Sequence, residues 1–428
     1  MNAILSIPLA LRLASLFAVG ALVGGFVNWG TYRLAWHQRL ISPWSAPPEG
    51  APRRRWSDRI PIVGWLRMSR QWQAHGRGFW IRPMLVEIAC GAFFALLYLY
   101  ETQWSGRVVL QLGAPPPDEF LSTNLALVEH VRYLSHMLVI SLMLVASLID
   151  VDEKTIPDAI TVPGALVGLG LAAVYPWSLL PADHWQVGPN TAVEFLTLAS
   201  PGPWPQLLDG LPLWIGLAVG LGCWTLWCFG LMPRRWNTRR GWRVAARVFW
   251  HRLRVESMTY RMLGTWIVGG AAIVWAAYQA RAAHWAGLLT ALVGLVAGGG
   301  LVWVVRVVGA AALRREAMGF GDVTLMSMIG AFVGWQPALI IFFLAPFAGL
   351  AIGVSQWVLH REHEVPYGPF LCLAALFVIV EWADIWQRVS MYFAMGWMLP
   401  AILAVCMVLM GGMLFAYRLG RELLVRDR

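Results

Sequence analysis

The chain is predicted to be an all-α protein, a polytopic transmembrane helical bundle of about eleven spans. Three observations predict it. Apolar runs of about 20 residues, the length that crosses a bilayer, recur throughout the 428 residues. The composition is 58% hydrophobic and 13% charged, whereas soluble domains sit near about 45–50% and about 25%. The mean hydropathy is +0.60. A soluble globular enzyme and a disordered chain are both excluded on these grounds. The strict apolar–polar alternation that an outer-membrane barrel needs is absent.

The apolar segments fall at 8–32, 84–100, 133–150, 159–180, 207–232, 263–280, 285–311, 322–336, 338–358, 369–385 and 393–417. The first has no small-residue cleavage site after it and reads as a retained span. Segments 84–100 and 322–336 are short, which local thinning or snorkelling side chains can accommodate. Between the first two spans, 34–83 carries nine arginines (Arg39, Arg53, Arg54, Arg55, Arg59, Arg67, Arg70, Arg77 and Arg82) against Glu49 and Asp58. The stretch 233–262 also carries nine arginines, against Glu256 alone. Both loops are therefore expected on the cytoplasmic side. Threading from them puts 151–158, 312–321, 359–368 and the tail 418–428 inside, and 101–132, 181–206 and 281–284 outside. The net charge of +10 belongs to these orienting loops rather than to a nucleic-acid surface. Cys90, Cys223, Cys228, Cys372 and Cys406 lie in or beside apolar runs, with no Cys-x-x-Cys pair, so no metal site is expected. The outer stretch 181–206 reads as irregular. Five regions result: 1–100 with the basic loop, 133–180, 181–284 as an insertion of two spans, 285–385, and 386–428 with a last span and basic tail.

Charge at membrane depth is expensive, so acids at the ends of spans carry the chemical information. In SLIDVDEKTIPDAITVP an apolar run ends at Asp150, a polar turn follows with Asp152 and Glu153, and Pro157-Asp158 opens the next span. In MGFGDVTLMSMIGAFVGW, Asp322 follows the turn residues Gly319 and Gly321 and precedes another span. The topology puts both acids at one membrane boundary. Two such carboxylates suit an aspartyl protease, in which an ionised one activates water and a protonated one polarises the scissile carbonyl. The structural alternative stays open from spacing alone: Asp158 and Asp322 as helix caps, Asp150 as an interfacial acid.

These two segments resemble the active-site segments of the type IV prepilin peptidase family, and three others follow in family order. VGGFVNWGTYRL (23–34) resembles its first span, IPIVGWL (60–66) with IRPMLVEIACGAFFALLY (81–98) its first loop and second span, and VPYGPFL (365–371) a later segment. The resemblance covers about 1–175 and 285–385. It implies an endopeptidase of the inner (cytoplasmic) membrane. Such an enzyme removes the short basic leader of type IV prepilin or pseudopilin substrates at the cytoplasmic face. Asp150 and Asp322 would be the catalytic pair, and Gly319, Gly321, Pro157 and Asp158 supporting residues.

The chain departs from the family in three ways. The long form of the family holds zinc on two Cys-x-x-Cys pairs in the first loop, and 34–83 has no cysteine. Such forms also N-methylate the product with S-adenosylmethionine, so the expectation here is no cofactor, with S-adenosylmethionine the alternative left open. A lysine usually stands two residues after the second aspartate, where this chain has Thr324. Residues 181–284 and 393–417 are additional. Because prepilin leaders are basic, their recognition is expected to fall to acids: Asp152, Glu153, Glu362 and Glu364. The competing functions are a proton-coupled transporter, which needs acids at mid-span, and an inactive relative acting as an assembly scaffold.

Overall fold

The computed structural model describes the chain except residues 1–5, 40, 46, 48–53, 105–124, 188–189, 203–212, 233–242, 245–246, 249–250, 252–256, 315–317, 361–365 and 427–428. Each apolar segment is helical, and the helices are α1 (Leu9–Leu34), α2 (Ile81–Leu99), α3 (Leu125–Glu153), α4 (Asp158–Val174), α5 (Leu213–Leu231), α6 (Ser257–Gln279), α7 (Ala282–Leu313), α8 (Phe320–Val333), α9 (Trp335–His360), α10 (Gly368–Val380), α11 (Trp382–Phe393) and α12 (Met398–Arg426). Among the described residues seven helices are long and apolar enough to cross a membrane. The count is eight if α10 and α11, bent by 95° at their junction, form one broken span. Helices α4 (17 residues) and α8 (14 residues) are apolar and shorter than these, and α9 has 26 residues, of which Trp335–Leu350 is an apolar stretch.

Glycine stripes explain how the short helices sit so deep. In α8 every residue from Asp322 to Val333 is buried. One side of it packs on α7, where Gly294 and Gly298 meet the backbone of Gly330 and Met326. The other side packs on α4, where Gly164 and Gly168 meet Met328 and Phe332. Both stripes are small residues four apart, the spacing that lets helix backbones approach within a membrane. A methyl group at Gly294 would strike the Gly330 carbonyl oxygen, a contact no rotamer can relieve. Gly294→Val is therefore expected to cost about 3 kcal/mol or more, read as a lowered unfolding temperature of the detergent-solubilised protein.

Within 181–284, Phe195, Leu196, Trp224, Trp227 and Cys228 are buried in the main core. Helix α5 packs on α6 and on α7, away from α8 and α10. The stretch expected to be irregular instead begins as an antiparallel hairpin, β1 (Pro181–Val187) with β2 (Asn190–Phe195), bulged between Pro181 and Asp183. Alternation was hard to see there because one strand is polar. Indole N–H groups hold this cap: Trp382 donates to Pro181 O (2.7 Å), Trp386 to Ala182 O (2.9 Å), Trp177 to Val193 O (2.9 Å) and Trp335 to Leu198 O (3.1 Å). These tryptophans are thus structural donors as well as apolar bulk. Helix α12 packs on α7, where Arg418 donates to Ala312 O at the last turn. A buried polar group joins α2 and α3 near the end of α3 opposite Asp150, with His136 Nδ1 2.6 Å from Glu101 Oε1 and His130 Nε2 3.0 Å from the Tyr98 hydroxyl.

Candidate active site

Asp150 lies in the last turn of α3, only 5% exposed. That helix stops at Glu153, and Lys154 follows with φ +55°, a left-handed turn that reverses the chain toward α4. The Asp150 carboxylate accepts a hydrogen bond from the backbone N–H of Gly368, the first residue of α10, at 3.1 Å. A larger residue there would have to displace both side chains that surround it. A Cβ on residue 368 would stand 2.6 Å from Asp150 Oδ2 and 2.9 Å from Ile156 Cδ1.

Asp322 is the third residue of α8 and 7% exposed. Its carboxylate accepts from the backbone N–H of Gly319, the residue that caps the helix. The residue thus sits in the first turn and bonds back to the cap N–H, as a capping role requires. Asp150 is close enough for its charge to act on Asp322, and Cys372 in α10 lies within the field of both. Ile156 joins the two segments: its Cβ would be 2.8 Å from a Cβ on Gly321, and its Cδ1 abuts Gly368. The fold thus gathers the ends of α3, α8 and α10 and the start of α4 around two buried carboxylates.

Supporting residues divide by position. Gly319 is the cap residue of α8, and Gly321 is the helix's second residue, packed against Ile156. Pro157 caps α4 without a side-chain bond, and Asp158 is that helix's first residue rather than its cap. The Asp158 carboxylate accepts from the Thr324 hydroxyl, whose oxygen also lies 3.1 Å from Gly321 O. Thr324, where the resembled family usually has a lysine, thus ties α4 to α8 through Asp158. Of the acids assigned to leader recognition, Asp152 pairs with Arg82 at 2.8 Å. Glu153 accepts from the backbone N–H groups of Trp36 (2.6 Å) and His37 (2.9 Å). Both bind the chain's own first loop. Glu362 and Glu364 lie outside the described residues. Sequence reasoning missed Gly368, Ile156 and Cys372. The VPYGPFL segment carried the signal for the first, although it held no titratable side chain near an acid.

The first loop is built around charge. Asp58 is fully buried, paired with Arg70 at 2.6 Å and bound by the Arg55 backbone N–H. Trp65 is buried and donates its indole N–H to Glu87 Oε1 at 2.7 Å. Trp56 and Ile60 are exposed, because the turn Trp56–Arg59 puts Ser57 and Asp58 inward instead. Zinc does not fit here. The loop has no cysteine, and among the described residues no three His, Cys, Asp or Glu side chains converge on a metal-sized site.

Two segments of the chain match known families. Residues 258–354 match the type IV leader peptidase family, and residues 18–100 match the bacterial peptidase A24 N-terminal domain. Among curated relatives, a prepilin leader peptidase/N-methyltransferase of Aeromonas hydrophila is 30% identical over 97 residues, covering 22% of this chain and 33% of the relative. The protein of that name in Pseudomonas aeruginosa is 32% identical over 112 residues, covering 26% and 38%. In Burkholderia pseudomallei the corresponding figures are 33% over 89 residues, 20% and 29%. The chain thus spans about a third of the length of the curated relatives it matches. No solved structure matches it. Asp322 falls within the matched residues and Asp150 outside them.

Proposed function

We propose, from the segments that match the type IV leader peptidase family and its bacterial N-terminal domain, that the chain is a membrane-embedded aspartyl endopeptidase. Its substrates are type IV prepilin-like or pseudopilin-like proteins, cut between a short basic leader and the hydrophobic N-terminal helix at the cytoplasmic face of the inner membrane. The observation that carries the reading is the meeting of Asp150 and Asp322, from distant parts of the chain, in one buried site. A transporter would need such acids along a path at mid-span, and these stand at helix ends.

In this reading one carboxylate is ionised and takes a proton from a water between the pair. The other, protonated, donates to the scissile carbonyl oxygen as the tetrahedral intermediate forms. The proton taken from water then passes to the leaving amine as the C–N bond breaks, and the second carboxylate recovers its own proton as the carbonyl re-forms. Gly368 N–H and Gly319 N–H each donate to one carboxylate, so the two side chains are oriented before substrate arrives. Glu362 and Glu364 remain the proposed acids for the basic leader, while Asp152 and Glu153 anchor the loop that faces it. Purified protein in detergent should release the leader from a synthetic prepilin, with both products identified by mass. An intact substrate after prolonged incubation would contradict the proposal. Cleavage is also expected to survive EDTA and phenanthroline, because no step uses a metal; loss of activity that zinc restores would contradict that.

A further inference from the structure

We propose that the segment joining α1 and α2 docks on anionic lipid headgroups, with its exposed tryptophans inserted in the headgroup layer and its arginines on lipid phosphates. Four tryptophans of this segment face outward, Trp36 (85% exposed), Trp44 (64%), Trp56 (78%) and Trp72 (46%). The helix Val63–Met68 adds Val63 and Leu66 on its outer side. So many exposed aromatic and aliphatic side chains on one short segment outside the spans are the composition of an interaction face.

Its chemistry selects the partner. The Arg59 guanidinium stands 5.1 Å over the Trp44 ring, and Arg77 stands 5.6 Å over Trp72. Such a pairing presents an amphipathic ring and a phosphate-binding fork together, as the interface of an anionic bilayer requires. Among the described residues the segment's acid, Asp58, is buried against Arg70, and Arg54 turns inward onto Ser42 and Ser45, while Arg59 and Arg77 lie on the outer face.

The segment is also held at the right height. It leaves α1 at Leu34 and enters α2 at Ile81, and Glu87 of α2 grips Trp65 and the Ile62 backbone N–H. A soluble acidic protein would need none of these membrane tethers. A basic leader would be repelled by the same arginines. The docked face is continuous with the Asp150 turn through Arg82–Asp152 and through Glu153. Its anchoring therefore steadies that turn.

The test does not depend on peptidase activity. Gln73, exposed beside Trp72, is replaced by cysteine in a Cys223→Ser, Cys406→Ser background and spin-labelled. The full chain is then placed in nanodiscs of phosphatidylcholine alone or of phosphatidylcholine with phosphatidylglycerol. Access of a water-soluble nickel complex to the label should fall severalfold in the anionic discs. That protection should be lost with Arg59→Gln and Arg77→Gln together. A label equally accessible in both discs would overturn the proposal. So would a label equally protected in both, because charge would then play no part.

Discussion

Asp150→Asn and Asp322→Asn are each expected to abolish leader cleavage while leaving the protein folded. Asparagine keeps the shape of the carboxylate but can neither take a proton from water nor exchange one with the scissile carbonyl. Losing general acid–base participation costs about 10²–10⁴-fold. Because the two groups act as one unit, the double variant should be no worse than either single one. The packing argument runs the same way: both side chains are buried, so an amide of equal volume disturbs the core less than any larger or smaller group. Helical circular dichroism and a symmetric gel-filtration peak separate loss of chemistry from loss of fold. Full activity in either variant would reject the assignment.

Gly368→Ala is expected to cost nearly as much, without touching a titratable group. The added methyl would stand 2.6 Å from Asp150 Oδ2 and 2.9 Å from Ile156 Cδ1. Neither neighbour has room, since Asp150 and Ile156 are both buried. The carboxylate must swing away, and the hydrogen bond from the residue 368 backbone N–H weakens with it. A displacement near 1 Å costs about 10²-fold in rate. The loss should appear in kcat with KM little changed, because the leader does not contact this glycine in the proposed mechanism. An unchanged kcat would show that the Asp150 position is not fixed by α10.

Much of this was legible because it is local. Apolar runs became helices, and the arginine-rich loop became a separate basic surface. The two Asp-bearing turns stood out because charge beside an apolar run is costly. What could not be read was the contact between distant segments. Ile156 looks like any turn residue, and nothing in its neighbourhood reveals that it fills the space between Gly321 and Gly368. The stripes Gly164/Gly168 and Gly294/Gly298 were visible as spacing, but which helix each would receive is a tertiary fact. The acids Asp152 and Glu153 read as free charges until the fold brought Arg82 and the backbone of Trp36 and His37 to them.

The most direct test of the central claim, that Asp150 and Asp322 share one site, is a cross-link. Cysteines replace both aspartates in a chain whose five native cysteines are removed, with a protease site engineered into the loop between α5 and α6. A bifunctional methanethiosulfonate about 5 Å long, commensurate with the span a disulfide-like bridge can close, is added before proteolysis. The account predicts that the two halves stay joined on a non-reducing gel and separate on reduction, and that neither single-cysteine chain does so. Halves that separate freely despite complete modification of both thiols would contradict it.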